Sequence, residues 1–101
     1  MSYQLVFRIQ AEQDISNAQG WYEVHGEGLA RRFTDELDRV FDQLSEYPEA
    51  APVIERSIRR ISLRVFPFHV WYVTHADASI VRVLAVTHRR RDQSIVHDDI
   101  I

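Results

Sequence analysis

The chain of 101 residues has no cysteine and no lysine, and only three glycines, three prolines and one methionine. Without cysteine, disulfides and thiolate metal sites are excluded, which fits a reducing compartment. No stretch approaches the roughly 18 consecutive apolar residues of a membrane span, and the apolar run near the N-terminus is too short for a signal peptide. There is no internal repeat, no linker and no low-complexity tract. These absences predict one soluble, cytoplasmic domain spanning residues 1–101, long enough to bury a core without staples. Without lysine, all twelve basic residues are arginine. Arginine suits bidentate contacts to carboxylate or phosphate, although a high-GC coding bias gives the same composition.

The net charge of −3 hides an asymmetry. Residues 1–55 carry 4 arginines against 11 acidic residues, and residues 56–101 carry 8 against 4. An acidic half and a basic half in one small domain point to a surface that meets an anionic partner, either nucleic acid or an acidic protein segment.

Hydrophobic periodicity divides the chain. Tyr3, Leu5, Phe7 and Ile9 alternate with Gln4, Arg8 and Gln10, which predicts a half-buried strand over residues 3–10. From Glu12 the period lengthens. Ile15, Ala18, Tyr22 and His25 step by three and four, predicting a helix over 11–25 with Trp21 beside its stripe and Asp14 near its favourable dipole end. Gly26 and Gly28 bracket Glu27 and make a tight break. Leu29, Phe33, Leu37, Val40, Leu44 and Tyr47 then form a longer stripe, predicting a second helix over 29–46 and hence an αα-hairpin.

Pro48 and Pro52 bound the loop that stops this helix. Three strands are expected after it, over 58–65, 69–75 and 80–88, joined by a turn at Phe66, Pro67 and Phe68 and a hairpin at residues 76–79. Residues 93–101 predict a short helix or a frayed end. The order β-α-α-β-β-β makes a single α+β domain, an αα-hairpin packed on one face of a mostly antiparallel four-stranded sheet. The place of the first strand in that sheet is left open.

If Asp77 and Ala78 form a two-residue turn, Ala76 faces Ser79 and Val70 faces Ala85. Val70, Tyr72 and Thr74 then share a face with Val81, Val83 and Ala85. The other face holds His69, Trp71, Val73 and His75 with Ile80, Arg82, Leu84, Val86 and His88. An unpaired Arg82 guanidinium is costly to bury, so the Val70 and Val83 face is assigned to the helices. The opposite face mixes Arg60, Ser62, Arg64, His69 and Arg82 with Trp71, Leu84 and Val86, an apolar and basic surface that predicts a covering partner. The strand over 80–88 also runs directly into Arg89, Arg90 and Arg91, holding clustered guanidinium groups at a rigid strand end.

No metal is expected. His25, His69, His75, His88 and His97 show no ligand spacing, and His69 and His75 would lie roughly 20 Å apart on one strand. Nothing in the pattern calls for a cofactor, and the negative overall charge argues against direct DNA reading.

Taken in order, these pieces resemble the RelE/ParE family of bacterial toxins from type II toxin-antitoxin modules, and the ParE-like, plasmid-stabilisation branch in particular. The resemblance rests on Ala11, Asp14, Ile15, Ala18, Trp21, Tyr22 and Glu23, then Gly28, Leu29, Ala30, Phe33, Glu36 and Leu37. It continues through Pro48, Pro52, the Ile58-Arg59-Arg60-Ile61 run, Phe66-Pro67-Phe68 and Trp71-Tyr72. It ends on Val83-Leu84-Ala85-Val86, His88, Arg90, Arg91 and Asp92.

The resemblance implies an αα-hairpin on an antiparallel sheet and two chemistries. RelE-like members cleave mRNA on the ribosome with basic residues and a late tyrosine. Arg60 and Arg89 match two of those basic positions, while Ser62, His69 and Ile95 stand where the family has lysine, arginine and tyrosine. Acid-base catalysis supplies about 10²- to 10⁴-fold and needs a titratable group, which isoleucine is not. ParE-like members instead inhibit DNA gyrase by blocking religation.

The resemblance therefore implies a gyrase-inhibiting toxin neutralised by a cognate antitoxin. That antitoxin would have an acidic, amphipathic C-terminal segment, often with an N-terminal ribbon-helix-helix, and operator DNA would be reached only through it. Candidate binding residues are Arg60, Arg64, Trp71, Arg82, Leu84, Arg89, Arg90 and Arg91. The alternatives are a ribosome-dependent endoribonuclease using Arg60, His69, His88 and Arg89, with the histidines as acid and base, and a non-toxic antitoxin-binding module.

Overall fold

The protein's structure is a computed structural model that describes residues 2–90. Arg91, Ile95, His97 and the expected C-terminal helix lie outside the described residues. Five strands and two long helices follow the order β1 (Gln4–Phe7), α1 (Ile9–His25), α2 (Leu29–Glu46), β2 (Val53–Glu55), β3 (Ile58–Ser62), β4 (Phe68–His75) and β5 (Ile80–His88). The sheet order is β1-β5-β4-β3-β2. β1 runs parallel to β5, and every other pair is antiparallel. The helices form an αα-hairpin over one face, as the periodicity requires, and Gly28 supplies the left-handed φ of 76° that the turn between them needs.

The sheet has five strands where four are expected. The extra strand, β2, is three residues long and folds back on β3 through a turn in which Arg56 takes a φ of 54°. A strand that short leaves no alternation to detect.

α2 buries Phe33, Leu37, Val40 and Leu44 as its stripe predicts. Tyr47 departs from it and is 66% exposed, because the helix has ended and Tyr47 caps it with its backbone N–H on Gln43 O. α1 begins at Ile9, earlier than expected, and buries Ala11, Ala18 and Tyr22. His25 is not part of that stripe. It is exposed, stacks on Trp21 with ring centroids 3.8 Å apart, and donates from Nδ1 to Trp21 O at 2.8 Å.

The early start of α1 also gives Asp14 another role than dipole compensation. β1 ends at Phe7, and the last bond on that edge is Arg8 N–H to Val83 O, 2.9 Å. Beyond it no strand among the described residues continues along that edge of β5, and Asp14 Oδ2 accepts the Val86 N–H at 2.9 Å. A carboxylate from the helix thus satisfies a buried amide that the sheet leaves orphaned.

The β4–β5 pairing corrects the expected faces. From His75 opposite Ile80 to Tyr72 opposite Val83 the register is the expected one, though the connection is a 3₁₀ turn, Ala76–Ala78, with Ser79 left-handed at a φ of 53°. Trp71 then faces Ala85, so Leu84 is an extra residue, a β-bulge. Beyond it every β5 side chain changes face. Val86 joins Val70, Tyr72, Val81 and Val83 in the core under the helices, while Leu84 and Ala85 pack with Trp71 and Ile58 on the outer face. His88, opposite Phe68, moves to the helix side.

At the end of the sheet, Phe66, Pro67 and Phe68 turn the chain beneath the helices. Phe66 sits 5.0 Å from Tyr22 and 5.4 Å from Phe33, and Phe68 sits 5.2 Å from Phe33, measured between ring centroids. Such aromatic pairs each contribute about 0.5–1.5 kcal/mol beyond their buried area, so this wedge fixes the sheet end to both helices. The expected strand over 58–65 ends at Ser62, and Val65 is 71% exposed.

Candidate functional site

The turn that carries the wedge also builds the site. Glu36, buried on α2, points its carboxylate at the backbone of residues 64–66 and accepts from the N–H groups of Arg64, Val65 and Phe66. Arg89 N–H donates to Pro67 O at 2.7 Å, tying the end of β5 to the same turn. Arg64, His69 and Arg89 therefore leave a fixed frame, although they come from three separate stretches of chain.

On the outer face, β3 and β4 place Ser62 opposite His69 and Arg60 opposite Trp71. Ser62 Oγ and His69 Nδ1 are hydrogen-bonded at 2.9 Å. The Arg60 guanidinium lies over the Trp71 ring, 5.4 Å from its centroid, and the His69 ring meets Trp71 edge-on at 6.2 Å. Trp71 Nε1 donates to the buried Thr87 Oγ1 at 2.9 Å, which locks the indole under the arginine. Burial, then the charges of Arg60 and Arg89, lower the His69 pKa below the ordinary histidine value of 6.5. The ring is consequently neutral at physiological pH and able to accept a proton. Chemically the cluster is an electropositive patch on a rigid sheet, with one hydroxyl and one neutral imidazole between two guanidinium groups.

The other expected site residues separate from this cluster or are enclosed. Trp71 and Leu84 are 5% and 7% exposed, so they support the face rather than offer surface. Arg82 is exposed opposite Val73, toward the far end of the outer face. Arg90 is exposed, and its N–H donates to His88 Nδ1 at 3.1 Å. His88 packs edge-on against Phe68 at 5.3 Å, on the helix side, so His69 and His88 do not share a face. Arg64 lines a groove of about 940 Å³ between α2 and the loop after β3, with Arg32, Asp35, Arg39, Ile61 and Val65.

Sequence reasoning puts Ser62 on the outer face with Arg60 and His69 but misses Thr87 and Glu36 as parts of this arrangement. Ser62 was detectable: counting outward from the Phe66-Pro67-Phe68 turn places it opposite His69. Glu36 carries no such signal, because it reads as one more acid on a helix already rich in them. Among the described residues, no helix is long and apolar enough to cross a membrane, and no group of three histidine or acidic side chains is placed to hold a metal ion.

Comparison with solved structures places the fold. The chain matches the chromosomal ParDE toxin-antitoxin system of P. aeruginosa with a TM-score of 0.73 and 15% identity, covering 86% of this chain and 96% of that one. It matches E. coli RelE, as a double-arginine variant in the free state, with a TM-score of 0.66 and 19% identity, covering 99% and 95%. The RelBE2 toxin-antitoxin complex of Mycobacterium tuberculosis gives a TM-score of 0.63 at 18% identity, covering 88% and 100%. A search of curated protein sequences gave no significant match. A family model described as the ParE toxin of the type II toxin-antitoxin system parDE matches residues 5–93. With that span of the sequence inside the family model, and its fold shared with these toxins, the chain belongs to the ParE toxin family of type II toxin-antitoxin systems.

Proposed function

We propose that this toxin acts by binding and inhibiting DNA gyrase in the cytoplasm, stabilising cleaved DNA, rather than by cutting RNA itself. The observation that carries this reading is the composition of the outer-face cluster. Among the described residues His69 is the one imidazole of the cluster, and the second histidine a ribonuclease would need, His88, faces the helices. Two guanidinium groups and a serine can bind an anionic surface but do not make an acid-base pair.

The matched structures include toxin-antitoxin complexes, and an antitoxin is the natural partner here as well. Its acidic, amphipathic C-terminal segment would neutralise the arginines, and operator DNA would be contacted through its N-terminal ribbon-helix-helix.

The test is purified protein with gyrase, relaxed plasmid and ATP, reading supercoiling and trapped cleaved DNA together. Inhibition with accumulation of cleaved plasmid, lost in Arg89→Ala and Arg90→Ala variants that still fold, is the expected result. Full toxicity in both variants would remove the arginine cluster from the function.

One observation favours a second reading. Ser62 and a neutral His69 form a hydrogen-bonded pair between Arg60 and Arg89, so a ribosome-dependent endoribonuclease with a substituted site would find a base and two phosphate ligands there. Cleavage of mRNA on translating ribosomes, abolished by His69→Ala and without effect on gyrase, would replace the first reading with this one.

A further inference from the structure

Ser62 and His69 face each other across β3 and β4, and their side chains meet, Ser62 Oγ lying 2.9 Å from His69 Nδ1. Ser62 is exposed and His69 half-buried, so the pair is open to a reactant from solvent. The frame around it is rigid. Leu63 N–H donates to Phe68 O at 3.0 Å and closes the two strands immediately beside the pair, and the His69 backbone is registered against Thr87 on its other side. The imidazole meets Trp71 edge-on, and the indole is itself fixed by its bond to Thr87 Oγ1. Hydroxyl and imidazole are therefore held in hydrogen-bond reach before any reactant arrives.

A serine hydroxyl is a weak nucleophile until a base at hydrogen-bond distance takes its proton. A neutral imidazole with its own proton on Nε2 presents the Nδ1 lone pair to that hydroxyl. His69 is kept neutral at physiological pH by burial and by the charged groups that face it, Arg60 from β3 and Arg89 from the end of β5. Those two cations also suit one kind of electrophile. Guanidinium groups bind phosphoryl oxygens and meet the charge that builds on them as a further oxygen adds to phosphorus. A covalent route through serine needs no second histidine, because the imidazole that takes the serine proton can return it to the leaving oxygen. The position of His88 on the helix side does not count against it.

We propose that Ser62 is a nucleophile with His69 as its base, and that the pair attacks phosphodiesters held by Arg60 and Arg89. Ser62 Oγ forms a bond to phosphorus and its proton passes to His69 Nδ1. The bond from phosphorus to the leaving oxygen breaks, and that oxygen keeps the electron pair and takes the proton from His69. The products are an alcohol and a phosphoryl ester on Ser62, which water releases by the same sequence in reverse. This goes beyond both readings above, since neither gyrase binding nor base catalysis by His69 alone puts a covalent bond on Ser62.

The test incubates the full chain with bis(p-nitrophenyl) phosphate, following p-nitrophenolate by absorbance and the adduct by mass spectrometry. A rapid release of about one equivalent per chain is expected, with the p-nitrophenyl phosphoryl group on the peptide that contains Ser62. Ser62→Ala should abolish the adduct. His69→Gln should slow its formation at least tenfold and remove the rise in rate that the unaltered chain shows from about pH 5.5 to 7.5. The Arg60→Ala/Arg89→Ala double variant should be at least tenfold slower at the upper pH, with circular dichroism showing that each variant is folded. No adduct on the unaltered chain, an adduct on another serine, an unchanged rate or pH profile in His69→Gln, or an unchanged rate in the double variant would each overturn the proposal. Gyrase inhibition is assayed separately on Ser62→Ala. It is expected to persist, because binding an anionic surface needs the guanidinium groups and not the hydroxyl, so the covalent step and the gyrase reading stand or fall independently.

Discussion

The two faces of the sheet bury similar residue types by different means. On the helix face Val70, Tyr72, Val81 and Val83 are fully enclosed between two layers, with Phe33, Leu37 and Leu44 packed from above. On the outer face Ile58, Trp71, Leu84 and Ala85 are nearly as buried, yet among the described residues every member of that cluster comes from the sheet itself. What encloses Trp71 there is the stem and guanidinium of Arg60, the edge of His69 and the bond to Thr87. One face is held by packing and the other by a skin of polar side chains. A surface of the second kind can be rigid and charged at once, which is what binding to an anionic partner requires.

The largest test of this contrast is truncation on each side. Phe33→Ala removes a fully buried ring that touches Tyr22, Phe66 and Phe68, and is expected to cost about 4 kcal/mol. Trp71→Ala is expected to cost about 2 kcal/mol, at or below the low end for such substitutions, because solvent can reach the space it leaves. Denaturant unfolding of both variants decides it. Equal losses would mean that the outer cluster is a second core in its own right.

Next comes the carboxylate that joins the faces. Glu36→Ala strips three backbone donors of their acceptor, and a loss of about 3 kcal/mol is expected from leaving part of them buried without partners. Its functional signature is distinct from its structural one. Glu36 holds the turn that holds Arg89 through Pro67, so the variant should also lose gyrase inhibition at temperatures where it remains folded. Activity that persists in the folded fraction would show that the turn needs no such anchor. A smaller loss, about 1 kcal/mol, is expected for Tyr72→Phe. Its hydroxyl donates to Pro48 O at 2.9 Å and pins the loop after α2, alongside Arg59 Nη1 to Ala51 O at 2.6 Å.

Much of this arrangement is legible in the sequence, and the illegible parts share a cause. Both helices, the αα-hairpin and the three later strands follow from periodicity, because each has one clearly apolar side. The bulge at Leu84 does not, since Val83, Leu84, Ala85 and Val86 are all apolar and no face assignment among them is penalised. The error it causes is confined to residues after the bulge, which is why Arg82 is correctly placed outside and His88 is not. Ser62 and His69 could be found by counting from a turn. Glu36 and Asp14 could not, because what they satisfy is a backbone amide belonging to a remote stretch of chain, and an amide leaves no trace in a sequence.

The smallest expected effect concerns pH, and it separates the two faces most cleanly. The pKa of His69 is moved downward, by burial and by Arg60 and Arg89. Its unfolded form takes up a proton near the ordinary value of 6.5, and its folded form does so only at lower pH. Below 6.5 the unfolded state therefore binds more protons, so the contribution of His69 to stability is present above that pH and is lost as pH falls toward the folded value. His69→Gln removes this dependence while leaving the helix-face core intact. The difference in thermal midpoint between the two proteins should consequently change on going from pH 7.5 to 5.5, with the unaltered chain losing more. A difference constant with pH would mean that neither burial nor the guanidinium groups of Arg60 and Arg89 act on His69, and the outer face would then hold its imidazole no differently from open solvent.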